Sequence, residues 1–189
     1  MQVLSSFIKL QENEKELIQS LFQEVKFQKG AVFLRAGDVC NSLGFVCKGI
    51  FRYYIDQDGE DKTYNFAKEG EFICNYESLI RQVPSPKNIQ AIEDAEVLTI
   101  SHKNLQRFYN EVADGNLFGR VHMEQVYVET VRQLISQYTE TAQHRYLKFL
   151  DNHQDLNQRI SQYYVASYVG VKPQSLSRIR KRLTMRSIN

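Results

Sequence analysis

The sequence predicts an α+β chain. An antiparallel β-roll (a double-stranded β-helix) with flanking helices is followed by one long helix and then a C-terminal helix-turn-helix domain. Three observations predict it. Between Val25 and Ser101, apolar residues alternate with period two in short runs broken by glycines, which marks many short antiparallel strands and not a βαβ sheet. From Leu117 to Tyr138 they recur at spacings of 4, 3, 4, 3, 4 and 3, the 3.5-residue period of a helix packed on another helix. Between Ile160 and Leu183, a short apolar-periodic segment, a glycine and a proline-initiated segment follow one another, as two helices joined by a tight turn would.

Taken in order, residues 12–24 place Leu17, Ile18, Leu21 and Phe22 on one stripe, so an amphipathic helix is expected there. Strands are expected at 25–27, 32–34, 45–47, 50–55, 63–66 and 95–100. The breaks at Lys29-Gly30, Gly37-Asp38, Lys48-Gly49, Asp58-Gly59 and Glu69-Gly70 supply the positive φ that hairpin turns require. Ser101 is expected to cap a helix reaching Tyr109. In the long helix, Leu117, Val121, Val128, Val131, Ile135 and Tyr138 form an a/d seam that only Glu124 interrupts; the seam is expected to be a homodimer interface, with packing on the chain's own strands as the alternative. Thr141 is expected to cap the next helix, which turns Tyr146, Phe149 and Leu150 inward.

Charge is partitioned along the chain. Residues 141–189 hold nine basic and two acidic residues, net +7, whereas the remainder holds 15 basic and 20 acidic, net −5; the overall +2 hides this. A localised basic face attracts polyanions by counterion release, which scattered surface lysines do not. Composition is otherwise ordinary for a globular chain of one to two domains, with 42% hydrophobic and 24% charged residues. No apolar run approaches the roughly 20 residues of a membrane helix, and the N-terminus lacks a signal-peptide pattern, so a cytoplasmic protein with no membrane partner is expected. The three cysteines, Cys40, Cys47 and Cys74, show no CxxC spacing and are expected to be reduced, half-buried thiols with no metal.

The β-roll, long helix and helix-turn-helix in this order resemble the CRP/FNR family of transcription regulators. Residues 165–171 (VASYVGV) resemble the family's first helix and turn, and 173–180 (PQSLSRIR) its recognition helix. Gly37-Asp38, Lys48-Gly49 and Gly70-Glu71-Phe72-Ile73 fall where the family has its turns and the start of its ligand cassette. The resemblance implies a cyclic-nucleotide-binding-like sensor roll over 1–112, a dimerisation helix over 113–140 and a DNA-binding domain over 141–189.

Each tail residue has a physical role in that reading. Ala166 is small where the helices cross, Gly170 permits the sharp turn, and Pro173 suits a first helical position. Leu176, Ile179 and Leu183 are expected inward. Gln174 and Arg178 are expected to read bases, since Gln can bond adenine and Arg guanine bidentately, although Arg178 on a phosphate stays open. The resemblance puts Arg178 where the family keeps a base-contacting Arg, and Gln174 where it keeps a Glu. Ser175, Ser177 and Lys181 are expected to lie along the backbone phosphates, and Arg182 is expected among the DNA-binding residues. Lys172 stands where a Ser or Thr cap is usual; it cannot cap but can reach phosphate.

The cassette departs from the family's cyclic-nucleotide members, in which a Gly-Glu step holds the ribose and an Arg the cyclic phosphate. Here Cys74 and Asn75 occupy the Gly-Glu step, and the Arg position falls near Ser85 or Pro86, with Lys87 nearby but out of register. A neutral pocket would leave a buried phosphate uncompensated at a cost of several kcal/mol, which argues against cyclic AMP. The expected pocket residues are Phe72, Cys74, Asn75, Tyr76, Ser85 and Lys87. No cofactor is expected: an iron–sulfur centre needs about four Cys, and the four histidines (His102, His122, His144, His153) all follow the roll, with His122 left open as a haem ligand. A cupin-like metalloenzyme would need His ligands on the strands, and residues 25–100 contain none.

The function expected is therefore a homodimeric, sequence-specific regulator that binds double-stranded DNA and is not an enzyme, with RNA polymerase as a candidate further partner. Its effector is open: a small apolar or acidic molecule, a protein, or none. A ligand- or protein-binding sensor without specific DNA binding stays open as the second reading.

Overall fold

The computed structural model describes residues 12–152, 156 and 158–186; His153 lies outside them. A 3-10 turn, Glu12–Glu14, leads into α1 (Lys15–Leu21), and eight strands follow: β1 (Phe22–Phe27), β2 (Val32–Leu34), β3 (Ser42–Lys48), β4 (Phe51–Gln57), β5 (Glu60–Ala67), β6 (Phe72–Ile73), β7 (Asn88–Ala91) and β8 (Ala95–Ser101). Helix α2 (Tyr76–Arg81) interrupts them after β6. Beyond β8 come α3 (His102–Glu111), α4 (Gly115–Thr139), α5 (Ala142–Asn152), α6 (Gln162–Val169) and α7 (Pro173–Arg186). Two four-stranded sheets, ordered β1-β8-β3-β6 and β2-β7-β4-β5, build the roll, with antiparallel pairing of β8 to both β1 and β3.

Two expectations are corrected. The opening helix ends at Leu21, because Phe22, Gln23 and Glu24 pair with Ile100, Thr99 and Leu98 as the start of β1. The helical stripe ran on into Phe22 because one apolar residue fits either period. The thiols are not uniformly half-buried: Cys40 is buried, Cys74 intermediate and Cys47 exposed.

The core of the roll includes Ile18, Leu21, Val46, Phe51, Ile73, Leu79, Ile89, Val97 and Ile100, each contributing about 1.5–3 kcal/mol by burial. Phe27, Phe33 and Phe51 meet edge-on or tilted at centroid distances of 6.0, 5.5 and 6.3 Å, geometries the ring quadrupoles favour. At Gly49, φ is +97° and a Cβ would stand 2.6 Å from Ala95 Cβ and 2.9 Å from Asp94 O. Gly49→Ala is expected to lower stability by about 1–3 kcal/mol, read as a lower denaturation midpoint at unchanged slope.

The chain divides into two compact units. One holds residues up to Tyr53 with Phe66–Thr130, and the other Tyr54–Asn65 with the residues from Val131 onward. In the second, the β4–β5 hairpin turns through Asp58 and Gly59, with φ of 55° and 78°, the paired positive values of a type I′ turn. Its strand β5 meets α6 through Ser167, whose hydroxyl accepts from the Thr63 N–H at 2.8 Å and donates to the Asp61 carbonyl at 3.2 Å.

Candidate functional site

The α6–turn–α7 segment, where the helix-turn-helix is expected, is assembled from local chemistry. Ser161 caps α6, its side chain accepting from the Tyr164 N–H at 3.4 Å. Gly170 ends the helix in the left-handed region at φ 80°, and the Val171 N–H donates to the Ala166 carbonyl at 2.9 Å, so the last carbonyls of α6 are satisfied as in a Schellman turn. The Lys172 carbonyl then accepts from the Ser175 and Leu176 N–H groups at 2.9 and 3.1 Å, opening α7 with Pro173 as its first residue. Val165, Ala166 and Val169 from α6 and Leu176 and Ile179 from α7 are buried, and Leu183 is half-buried.

That packing turns the opposite side of α7 outward. Lys172, Pro173, Gln174, Ser175, Ser177, Arg178, Lys181 and Arg182 are all exposed, so the tail residues singled out in the sequence share one solvent-facing surface. An open groove of about 670 Å³ runs along part of it, with Ala142, Val171, Ile179 and Met185 as apolar lining and Arg178, Lys181 and Arg182 as cations. The arrangement suits a polyanion that presents hydrogen-bonding edges.

On α4, Phe118 is buried and stacks with His122 at 6.1 Å and an interplanar angle of 5°, while Phe72 meets the His122 ring edge-on at 4.7 Å. Burial holds the His122 imidazole below its usual pKa. Another face of the same helix carries Leu117, Val128, Ile135 and Tyr138 exposed at 38, 46, 54 and 84%, with Val121 and Val131 intermediate. Glu124, the polar position of the seam, pairs with Arg120 at 2.7 Å. Tyr127 and Leu134 are exposed as well; they lie off the heptad beside Val131 and Tyr138 and widen the apolar face beyond what the seam alone indicated.

The cassette residues divide. Asn75 caps α2, is buried, and donates to Ser85 Oγ at 2.8 Å; Ser85 Oγ donates in turn to the Lys87 carbonyl at 2.8 Å and accepts from the Lys87 N–H at 3.1 Å. Ser85 is further tied by backbone bonds to Gly37 and Asp38, both 2.8 Å. Asn75, Ser85 and the Lys87 backbone therefore form a network of neutral groups that closes the loop on itself, with the Lys87 charge near enough to act on the Cys40 and Cys74 thiols. Cys74 lies beside them, its thiol pushed up to about 12 by burial and then by the neighbouring Cys40. Phe72 joins Phe45, Phe118 and His122 instead, and Tyr76 is exposed. The sequence did not flag Tyr53: its buried phenol accepts from the Cys74 N–H at 3.3 Å and donates to the Phe72 carbonyl at 3.5 Å, at the entry to the cassette.

Residues 24–112 match the cyclic nucleotide-binding domain family. In fold, the chain is similar to a variant of CooA from Carboxydothermus hydrogenoformans (TM-score 0.72, 18% identity, 94% of this chain and 87% of that one). It is similar also to CLP, a c-di-GMP-responsive global regulator of Xanthomonas campestris (0.68, 15%, 94% and 93%), and to the Thermus thermophilus catabolite activator protein (0.59, 20%, 96% and 87%). No curated protein matches the sequence. At these identities the likeness establishes a shared fold. No helix among the described residues is long and apolar enough to cross a membrane.

Proposed function

We propose that this chain, a cyclic nucleotide-binding domain followed by helices on the fold of the CRP/FNR regulators, is a sequence-specific DNA-binding transcription regulator that acts as a homodimer. The observation that carries the reading is the outward face of α7. Leu176 and Ile179 anchor the helix, leaving Gln174 and Arg178 free for base edges and Ser175, Ser177, Lys181, Arg182 and Lys172 for phosphates. The exposed apolar seam of α4 supports the dimer, because contiguous apolar surface of that kind ordinarily marks an interface. The protein works by binding and not by catalysis.

Selection from random duplexes tests it. The expected product is a pseudo-palindrome with half-sites about 34 Å apart, one turn of DNA. Failure to enrich any sequence would favour the second reading, a sensor without specific DNA binding.

The effector is proposed not to be a cyclic nucleotide. Asn75 and Ser85 hold each other and the Lys87 backbone, and no Arg stands in the cassette's phosphate position. A phosphate entering there would displace a satisfied network of neutral groups and would meet the Lys87 ammonium, out of register with the family's Arg, in place of a guanidinium fork. Millimolar cyclic AMP or cyclic GMP is expected to leave the melting temperature unaltered, whereas a ligand at 100 times its dissociation constant would add about 2.7 kcal/mol. A saturable rise would overturn this reading of the cassette.

A further inference from the structure

Arg145 stands in α5, outside the DNA-facing row, yet its guanidinium joins two helix ends. Nη1 donates to the Glu140 carbonyl at 2.7 Å, just past the end of α4, while Nε and Nη2 donate to the Val169 carbonyl at 3.0 and 2.9 Å, the last residue of α6. A planar cation suits both places, since helix C-termini carry partial negative charge and orphan carbonyls. The link from α4 to α5 is only Glu140 and Thr141, so the fork bridges a two-residue joint. On the far side, the guanidinium lies against Gly170: a Cβ there would stand in van der Waals contact, 3.4 Å from Arg145 Nη2.

We propose that Arg145 is a positioning residue that fixes the angle between the end of α4 and the α6–α7 pair, and thereby the distance between the two recognition helices of the dimer. The proposal rests on the DNA-reading function argued above. Each helix-turn-helix reads its half-site with residues of α7 that do not touch this fork, so loosening the fork alters spacing and leaves the reading of one half-site intact.

The experiment measures binding of wild type, Arg145→Gln and Arg145→Lys to a duplex carrying one half-site, and to selected palindromes whose half-sites are moved one base pair closer or farther apart. Wild type is expected to prefer one spacing by about tenfold, as the geometry of paired half-sites requires. Arg145→Gln is expected to retain single half-site affinity within about twofold while its spacing preference falls to about twofold, because a neutral amide cannot bridge both carbonyls. Arg145→Lys, which keeps the charge but not the fork, is expected to fall between them. Wild-type spacing preference in both variants would overturn the proposal and leave DNA reading standing. Equal loss on half-site and palindrome, or failure of both variants to fold, would make Arg145 a general structural residue and likewise overturn it. If wild type enriches no sequence, the DNA-reading function fails first and the positioning role falls with it.

Discussion

A chain carrying Val128→Asp together with Val131→Asp is expected to sediment as a monomer at micromolar concentrations where the wild type is expected to be a dimer. In the single chain Val128 is 46% exposed and Val131 intermediate, each on the apolar face of α4. Aspartate at either site therefore remains solvated in the isolated protomer and disturbs its fold little. In a dimer the same carboxylates would lie opposite their own copies, where desolvation and like-charge repulsion amount to several kcal/mol per helix pair. That separation makes the experiment decisive: circular dichroism is expected to stay native while the sedimentation coefficient falls. A double variant that remains dimeric would remove the α4 seam from the interface.

Arg178→Ala is expected to weaken binding to the selected operator by about 1–3 kcal/mol at each half-site and to relax preference at one base position in each. Lys181→Ala is expected to act differently, weakening binding to all sequences alike and lowering the salt dependence, since a phosphate contact releases counterions without reading bases. Both side chains line the same groove and both are exposed, so the proposed difference between them rests on the guanidinium fork against the single ammonium. Titrations at several salt concentrations against matched and mismatched duplexes separate the two effects. If the two variants behave identically, the assignment of Arg178 to a base is wrong, and binding reduces to attraction by the +7 tail.

The amino-acid sequence by itself determined the features that depend on near neighbours. Period two placed β2, β3, β4, β5 and β8, and the glycines at 30, 37, 49, 59 and 70 all take positive φ. Ser101 and Thr141 accept from the N–H groups of Asn104 and His144, each at 3.2 Å. Leu176 and Ile179 face inward while Gln174 and Arg178 face out. Each of these follows from φ, capping or periodicity within a few residues. What only the tertiary structure decided lies in contacts between distant positions. Strands β6 and β7, two and four residues long, carry too little pattern to stand out and exist as strands through their pairing with β3 and β2. Phe22 left its helical stripe because β8 offered it Ile100 as a partner. Asn75 and Ser85 became one another's partners, and Arg145 reached Val169, because the chain returns there; the place of return is set by packing of the whole core, not by any local propensity.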